Sequence, residues 1–308
     1  MFYTEHMPRT RYLDVPCRSA RNRVRNMPFA WSLNPYRGCT HACTYCYAVA
    51  THAHLGMETA DFASTVLVKS NLAEVLRAEL ARPSWRNGRV AIGTATDPYQ
   101  PCEGRYRLTR AALEAFRARG TPVTIVTKST LVLRDLDVLT EMARDGLATV
   151  QFSIITLEPS VWRLLEPGTP PPAKRLEVLR RLVDAGVPCG VYLAPILPGI
   201  TDGEAPIDAV FAASREAGAG TVWTSPLRLV PLVKEHYYGF LRAALPELLP
   251  RYERAYARAD ITDAYATAMR IRLDRIRSRH GFVQPERLEL PDLATIDAPQ
   301  ARQIQLAL

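Results

Sequence analysis

The 308-residue chain, 47% hydrophobic, is long enough for one large or two ordinary domains, since about 100 to 200 residues per domain is usual. Its longest apolar stretches, such as Val187 to Ile200, are too short and too interrupted by proline and glycine to span a bilayer. No apolar signal segment follows Met1, so a cytoplasmic protein without a membrane partner is expected. An excess of 39 Lys and Arg over 31 Asp and Glu gives +8, which permits an anionic partner without requiring one; the six cysteines are expected to be reduced or metal-bound rather than disulfide-paired.

Residues 1–28 are basic, polar and poorly periodic, which predicts an extended N-terminal arm or partial disorder. From there, apolar runs bounded by turn residues alternate with longer amphipathic segments. Strands are predicted at Ala30 to Asn34, Arg89 to Gly93, Val123 to Thr127, Thr149 to Ile154, Val187 to Ala194 and Thr221 to Thr224, with a short extra one at Val66 to Lys69. Helices are predicted at Leu72 to Leu80, Thr109 to Arg119, Leu136 to Arg144, Ala173 to Ala185 and Ala205 to Ala217, most of them closed by a glycine such as Gly146 or Gly186. Six such units over 29–230 imply an α/β fold with a parallel sheet that can curl into an open barrel. Beyond about Pro231 the pattern turns helical, Glu235 to Leu245 and then Leu248 to Arg279, so 231–308 is expected to be a helical C-terminal extension. The densest basic runs, Arg18 to Arg25 and Arg270 to Arg279, read either as solvated faces or as nucleic-acid contacts.

Cys39, Cys43 and Cys46 lie in Asn34-Pro-Tyr-Arg-Gly-Cys-Thr-His-Ala-Cys-Thr-Tyr-Cys-Tyr47, just after the first strand. Thiolates favour zinc, copper(I) or iron-sulfur clusters. Three on one loop can hold three irons of a [4Fe-4S] cluster and leave the fourth iron open to a small molecule. Two other readings share the spacing. A structural zinc site could recruit His41, His52 or His54 as a fourth ligand, and positions i, i+4, i+7 would also form a helical stripe of core cysteines. Cys17 and Cys189 have no partner spacing.

With Tyr45 directly before its last cysteine, this loop resembles the radical S-adenosylmethionine (SAM) superfamily. The runs Gly93-Thr-Ala-Thr-Asp-Pro-Tyr-Gln-Pro101, Thr127-Lys-Ser129, Leu165-Glu-Pro-Gly168 and Ala194-Pro-Ile-Leu-Pro-Gly-Ile-Thr-Asp202 narrow the likeness to the spore photoproduct lyase-related branch, also called DNA repair photolyase-like, over roughly residues 18 to 250. The resemblance implies a partial (β/α)6 TIM-type barrel, a [4Fe-4S] cluster on Cys39, Cys43 and Cys46, and SAM chelated to the open iron. It further implies reductive cleavage of SAM to a 5′-deoxyadenosyl radical that takes a hydrogen atom from a substrate. A one-electron reductant of the flavodoxin or ferredoxin type would supply the electron. A nucleic-acid substrate and a monomeric state are expected, with peptide or RNA modification as alternatives to DNA photoproduct cleavage and a non-catalytic zinc-binding nucleic-acid module as the alternative outside the superfamily.

The resemblance also assigns candidate residues at successive strand ends, where α/β sheets bind their ligands. Tyr45 would lie near the adenine. Thr96 or Asp97 would accept a hydrogen bond from the SAM amine, although Asp97 before Pro98 also suits an ordinary turn. Lys128 would pair with the SAM carboxylate and Ser153 would hydrogen-bond SAM, while Arg175 could bind the carboxylate bidentately. Ala194 joins this cofactor-binding set at the end of the fifth strand. Tyr99 and Gln100 would meet substrate in the mouth. Spore photoproduct lyases carry a hydrogen-donating cysteine near the second strand end; here Thr94 or its neighbours fall there, and Cys102 is the candidate if its loop folds back.

Overall fold

The computed structural model describes residues 10–24, 27, 29–85 and 88–283. Its strands are Arg11–Val15 (β1), Arg21–Arg23 (β2), Trp31–Leu33 (β3), Tyr36–Arg37 (β4), Thr65–Lys69 (β5), Val90–Ile92 (β6), Val123–Thr127 (β7), Ala148–Ser153 (β8), Cys189–Ile196 (β9) and Thr221–Pro226 (β10). The larger sheet has the order β10-β9-β8-β7-β6-β3-β2. Every neighbouring pair from β3 to β10 is parallel, which gives six parallel strands, and β2 adds antiparallel to β3. The connections carry helices Leu72–Leu80, Leu108–Ala118, Leu136–Arg144, Pro172–Asp184 and Glu204–Glu216, as parallel pairing requires. This is the open six-unit barrel, and the fold class read from the alternation holds.

Alternation within the strands sorts the two faces. Val123, Ile125, Ala148, Val150, Phe152, Val191 and Val222 are buried in the core formed with the helices. The intervening residues face the inside of the curved sheet and are less buried, among them Thr124, Thr149, Gln151, Tyr192 and Trp223. Their packing is close: Thr124 and Thr149 hydroxyls lie 2.9 Å apart, and a Cβ on Gly190 would collide with Gln151 and Thr221. At the helix ends, Gly146 and Gly186 take left-handed φ of +69° and +85°.

The N-terminal segment departs from the expected arm. β1 pairs in parallel with β5, which pairs antiparallel with β4 in a separate three-stranded sheet. Residues 1–9 and 284–308, the outer parts of the expected arm and C-terminal extension, lie outside the described residues. Arg21, in the basic run, is an internal fastener: its guanidinium sits 4.0 Å from the Trp31 ring centroid and 4.3 Å from that of Trp85, and its Nε is 3.0 Å from Glu79.

Three helices follow the barrel: Pro231–Ala244, Leu249–Ala255 and Asp263–Arg279. The continuous helix expected from Leu248 to Arg279 is interrupted at 256–262. There the buried Tyr256 donates to the Leu227 carbonyl at 2.9 Å, while its own carbonyl accepts from Lys234 at 2.6 Å and the Ala259 carbonyl accepts from the Leu229 amide at 2.7 Å. Those carbonyls are drawn to the barrel side, so the helical ladder stops. Asp263–Arg279 then lays Met269, Leu273 and Ile276 into the main core. Its arginines meet acids and carbonyls on the Glu204–Glu216 side: Arg279 to Asp208 at 2.6 Å, Arg272 to the Asp202 carbonyl at 2.6 Å, Arg275 to Glu204 at 3.9 Å. Most of this basic run serves helix packing.

Arg21→Ala should remove the cation-π contacts and strand buried Glu79 without its ion-pair partner, at a cost of about 3 kcal/mol. Urea denaturation of the two proteins would read the difference; a loss below about 0.5 kcal/mol, the range of an ordinary surface change, would show that the fastener contributes little.

Candidate active site

The cysteine loop leaves the β3–β4 region through two close approaches. Gly38 has φ +86°, and a Cβ there would lie 2.9 Å from the Phe62 carbonyl oxygen and nearer still to that of Thr65; only glycine fits. On the other side, a Cβ on Gly168 would fall on the Thr40 carbonyl oxygen, and the Gly168 amide donates to the His41 carbonyl at 3.1 Å. The Thr44 amide donates to the Leu165 carbonyl at 3.0 Å. The loop is therefore wedged between the β5 entry and the loop after β8. Its floor is apolar: Cys39 and Tyr45 belong to a buried cluster with Phe62, Ile155, Leu165 and Leu197, against which Cys43 and Cys46 pack.

Side chains from the strand-two end clamp the loop from below. Thr96 donates to the Gly38 carbonyl at 2.7 Å, and the fully buried Gln100 donates to the same carbonyl at 3.1 Å while its own carbonyl accepts from the Thr40 amide at 3.1 Å. Asp97 accepts from the Tyr99 amide, the Thr127 hydroxyl and the Lys128 amide at 2.7–2.8 Å, and its Oδ2 is 3.3 Å from His41 Nδ1. Burial alone would raise the Asp97 carboxyl, but His41 and these donors hold it low; burial alone would lower His41, but Asp97 pushes it up to about 10. With three hydrogen bonds from the chain and the His41 ion pair, Asp97 braces the loop.

A second cluster lies on the opposite side of the cysteines. Glu166, fully buried, accepts from the Tyr45 hydroxyl and pairs with Arg175 at 2.6 Å and with Lys128 Nζ at 3.5 Å. Lys128 also donates to the Ser153 hydroxyl and lies 5.8 Å from the Tyr45 ring centroid. Burial would raise the Glu166 carboxyl; the charges of Lys128 and Arg175 overcome it and hold it down to about 2. Burial also pushes the Cys46 thiol up to about 11 and that of Cys43 well above its usual value, Lys128 pulling the other way in both. Burial therefore favours the neutral thiol at Cys43 and Cys46, and turning either into a thiolate ligand costs free energy that a bound metal would have to supply.

The structure thus brings Cys39, Cys43, Cys46, Tyr45, Lys128 and Ser153 together, and places Thr96 under the loop. Arg175 stands among them but not as expected. No part of it is exposed; it donates to the carbonyls of Pro170 at 2.8 Å and Ser153 at 2.9 Å and to the Thr169 hydroxyl, besides pairing with Glu166, so it organises the site from behind. Ala194 is half-buried at the end of β9, before a cis peptide bond to Pro195. Tyr99 and Cys102 are corrections. Tyr99 is fully buried in the main core and donates to Asp135 at 2.9 Å, and Cys102 is buried in that core with its thiol pushed up to about 12 by burial. Neither faces the mouth, because the 98–102 loop folds down onto the helix Leu108–Ala118, where Thr109 donates to the Pro98 carbonyl. Gln100, expected to meet substrate, is instead fully buried and spent on the Gly38 carbonyl and the Thr40 amide; the roles of Glu166 and of the His41–Asp97 pairing were missed. Glu166 had a signal, an acid in a turn nine residues before Arg175.

The profile of the radical SAM superfamily matches residues 33–209. An uncharacterized protein of Mycobacterium tuberculosis (strain ATCC 25618 / H37Rv) is 39% identical over 284 residues, 91% of this chain and 84% of its own length. A radical SAM Nalpha-GlyT isomerase of Pseudomonas phage M6 is 26% identical over 167 residues, 54% of this chain and 33% of its own. Among solved structures, spore photoproduct lyase complexed with dinucleoside spore photoproduct is similar in fold, with a TM-score of 0.66 at 19% identity over 87% of this chain and 79% of that one. No helix among the described residues is long and apolar enough to cross a membrane.

Because the Glu166 carboxyl is held at about 2 against an ordinary 4.5, its contribution to stability is complete above about pH 4.5 and lost as the pH falls through about 2. Glu166→Gln should cost about 3 kcal/mol at pH 7 by leaving Arg175 without its counter-charge, and the gap should close between pH 4.5 and 2. Urea titrations of the metal-free chain across that range would show it; a gap independent of pH would mean that the carboxylate charge is not what the substitution removes.

Proposed function

The chain belongs to the radical SAM superfamily and is an enzyme of that class, using SAM and an iron-sulfur cluster; from that premise we propose that Cys39, Cys43 and Cys46 hold a [4Fe-4S] cluster and that the substrate is a nucleic acid. The observation that carries the reading is the placement of three thiols on one wedged loop, over an apolar floor and beside Lys128. The donor set fits the group: three cysteine sulfurs on one loop suit an iron-sulfur cluster and leave one iron for SAM. When bound, cluster and SAM supply a 5′-deoxyadenosyl radical able to take a hydrogen atom from substrate.

The chain's own residues do the positioning. Lys128 is the one cation of the second cluster with part of its side chain open to solvent, so it is the group assigned to the SAM carboxylate, with Ser153 beside it and the Tyr45 ring closing the apolar side. Thr96 remains next to the loop, its hydroxyl already given to Gly38. Inside the barrel, Ser153, Tyr192 and Trp223 lie in register on β8, β9 and β10, and both aromatic rings are half-buried. Planar rings beside a radical source suit an unstacked base. Spore photoproduct lyase with its bound dinucleoside supports the same class of substrate.

The zinc reading needs a fourth ligand, and two of its candidates are turned elsewhere: His41 Nδ1 lies 3.3 Å from Asp97 Oδ2, and His52 Nε2 meets the Thr65 carbonyl at 3.1 Å. Cys17, Cys102 and Cys189 are all buried in the main core, so no thiol beyond the three ligands is available to return a hydrogen atom. Photoproduct cleavage is therefore disfavoured against base or sugar modification.

Anaerobic reconstitution should give about four irons per chain and, with dithionite, 5′-deoxyadenosine from SAM. Alanine at Cys39, Cys43 or Cys46 should abolish both, whereas Cys102→Ala should keep both; a protein that binds only zinc and leaves SAM intact would refute the assignment. Lys128→Met should weaken SAM binding at least about tenfold, roughly 1.4 kcal/mol, with iron content unchanged. Calorimetry of the reconstituted protein reads this, and equal affinity would remove Lys128 from the SAM site. Deuterium transfer from labelled oligonucleotides into 5′-deoxyadenosine would test the substrate class.

A further inference from the structure

Two rungs of the barrel interior carry polar groups that the fold leaves without partners. Strand register sets Gln151, Gly190 and Thr221 side by side on β8, β9 and β10. Tyr192 and Trp223 stand two residues further along β9 and β10, about 7 Å higher toward the cysteine loop. A Cβ on Gly190 would fall on Gln151 Oε1 and on the Thr221 hydroxyl, so these two side chains lean together over the glycine. They form a polar floor beneath the two rings.

All four side chains are half-buried. Gln151 Oε1 is closed off within the floor, whereas the Gln151 amide nitrogen and the Thr221 hydroxyl are not shut in and take no hydrogen bond among the described residues. An amide nitrogen can only donate, while a hydroxyl does either. What rests on this floor must therefore bring an acceptor. It must also be neutral, because Gln151, Gly190, Thr221, Tyr192 and Trp223 carry no charge to match a buried phosphate. Among nucleobases a ring carbonyl oxygen is such an acceptor; adenine is the base without one, and it presents ring nitrogens beside an amine that is itself a donor.

We infer that Gln151, with Thr221 beside it, selects the base that enters the barrel, favouring one with a ring carbonyl over adenine. The inference rests on the nucleic-acid reading above and names the part of the base that is read. Tyr192 and Trp223 give every base a stacking surface, so they add affinity without choice. Choice comes from the floor: a donor covered by a base that offers it no acceptor loses its water and gains nothing in return.

Calorimetry of the reconstituted protein with SAM and no reductant, using single-stranded trinucleotides of thymidine, deoxycytidine or deoxyadenosine, tests the selection. The thymidine and deoxycytidine trinucleotides should bind at least about tenfold tighter than the deoxyadenosine one. Gln151→Met should cut that ratio at least about threefold, with no fall in thermal midpoint because the amide nitrogen it removes has no partner in the fold. Thr221→Val should act in the same direction while keeping the β-branched shape that suits a strand. Trinucleotides that bind without that preference, or that keep it in both variants, would overturn the inference and leave the nucleic-acid reading standing. If none of the three binds, the nucleic-acid reading falls and takes the inference with it.

Discussion

The buried pair of Glu166 and Arg175 is the constraint on which the rest of the site depends. A carboxylate in an apolar interior is unstable unless its charge is matched and its lone pairs are used. Arg175 supplies the matching charge from the helix Pro172–Asp184, Tyr45 supplies a hydroxyl from the cysteine loop, and Lys128 supplies a second cation from the end of β7. Three separate pieces of chain must therefore arrive together. Because Arg175 and Lys128 together outweigh one carboxylate, the cluster keeps a positive balance on the side where anionic sulfur would sit.

Asp97 plays the complementary part on the other side of the loop. It is engaged by the chain itself, pairing with His41 and accepting from the Lys128 amide and from the turn that carries Tyr99. Lys128 is thereby positioned twice, its backbone by Asp97 and its ammonium by Glu166 and Ser153. A lysine held in this way loses less rotamer freedom on binding than one free in solvent. Between the two acids, the thiol loop is prevented from relaxing outward.

The parts of this arrangement that could be read before any coordinates were those that depend on local pattern. Six buried parallel strands are apolar runs closed by punctuating residues, and the cysteine spacing carries ligand chemistry in itself. β1 was not legible: Arg-Tyr-Leu-Asp-Val has charged side chains at both faces and becomes a strand only by pairing with β5, more than fifty residues away. The break at 256–262 was hidden because its cause is a set of bonds from Tyr256, Leu229 and Lys234 to the barrel side. Glu-Pro-Gly at 166–168 reads as a turn, and Arg175 reads as a surface arginine of an amphipathic helix; only tertiary packing turns the two into one buried pair. Tyr99 and Cys102 were misplaced for the converse reason, since polar or reactive residues after a strand end resemble a binding loop until the loop is seen to fold inward.

The pairing of the Asp263–Arg279 arginines with Asp202, Glu204 and Asp208 has a consequence for how a polyanion approaches. Ion pairs closed within 4 Å look nearly neutral beyond a Debye length of about 8 Å at physiological salt. These paired arginines therefore contribute little of the +8 excess to the field that reaches into solvent, which issues from cations without such partners. An anion approaching the molecule would be steered toward those cations, and the steering would weaken as ionic strength rises.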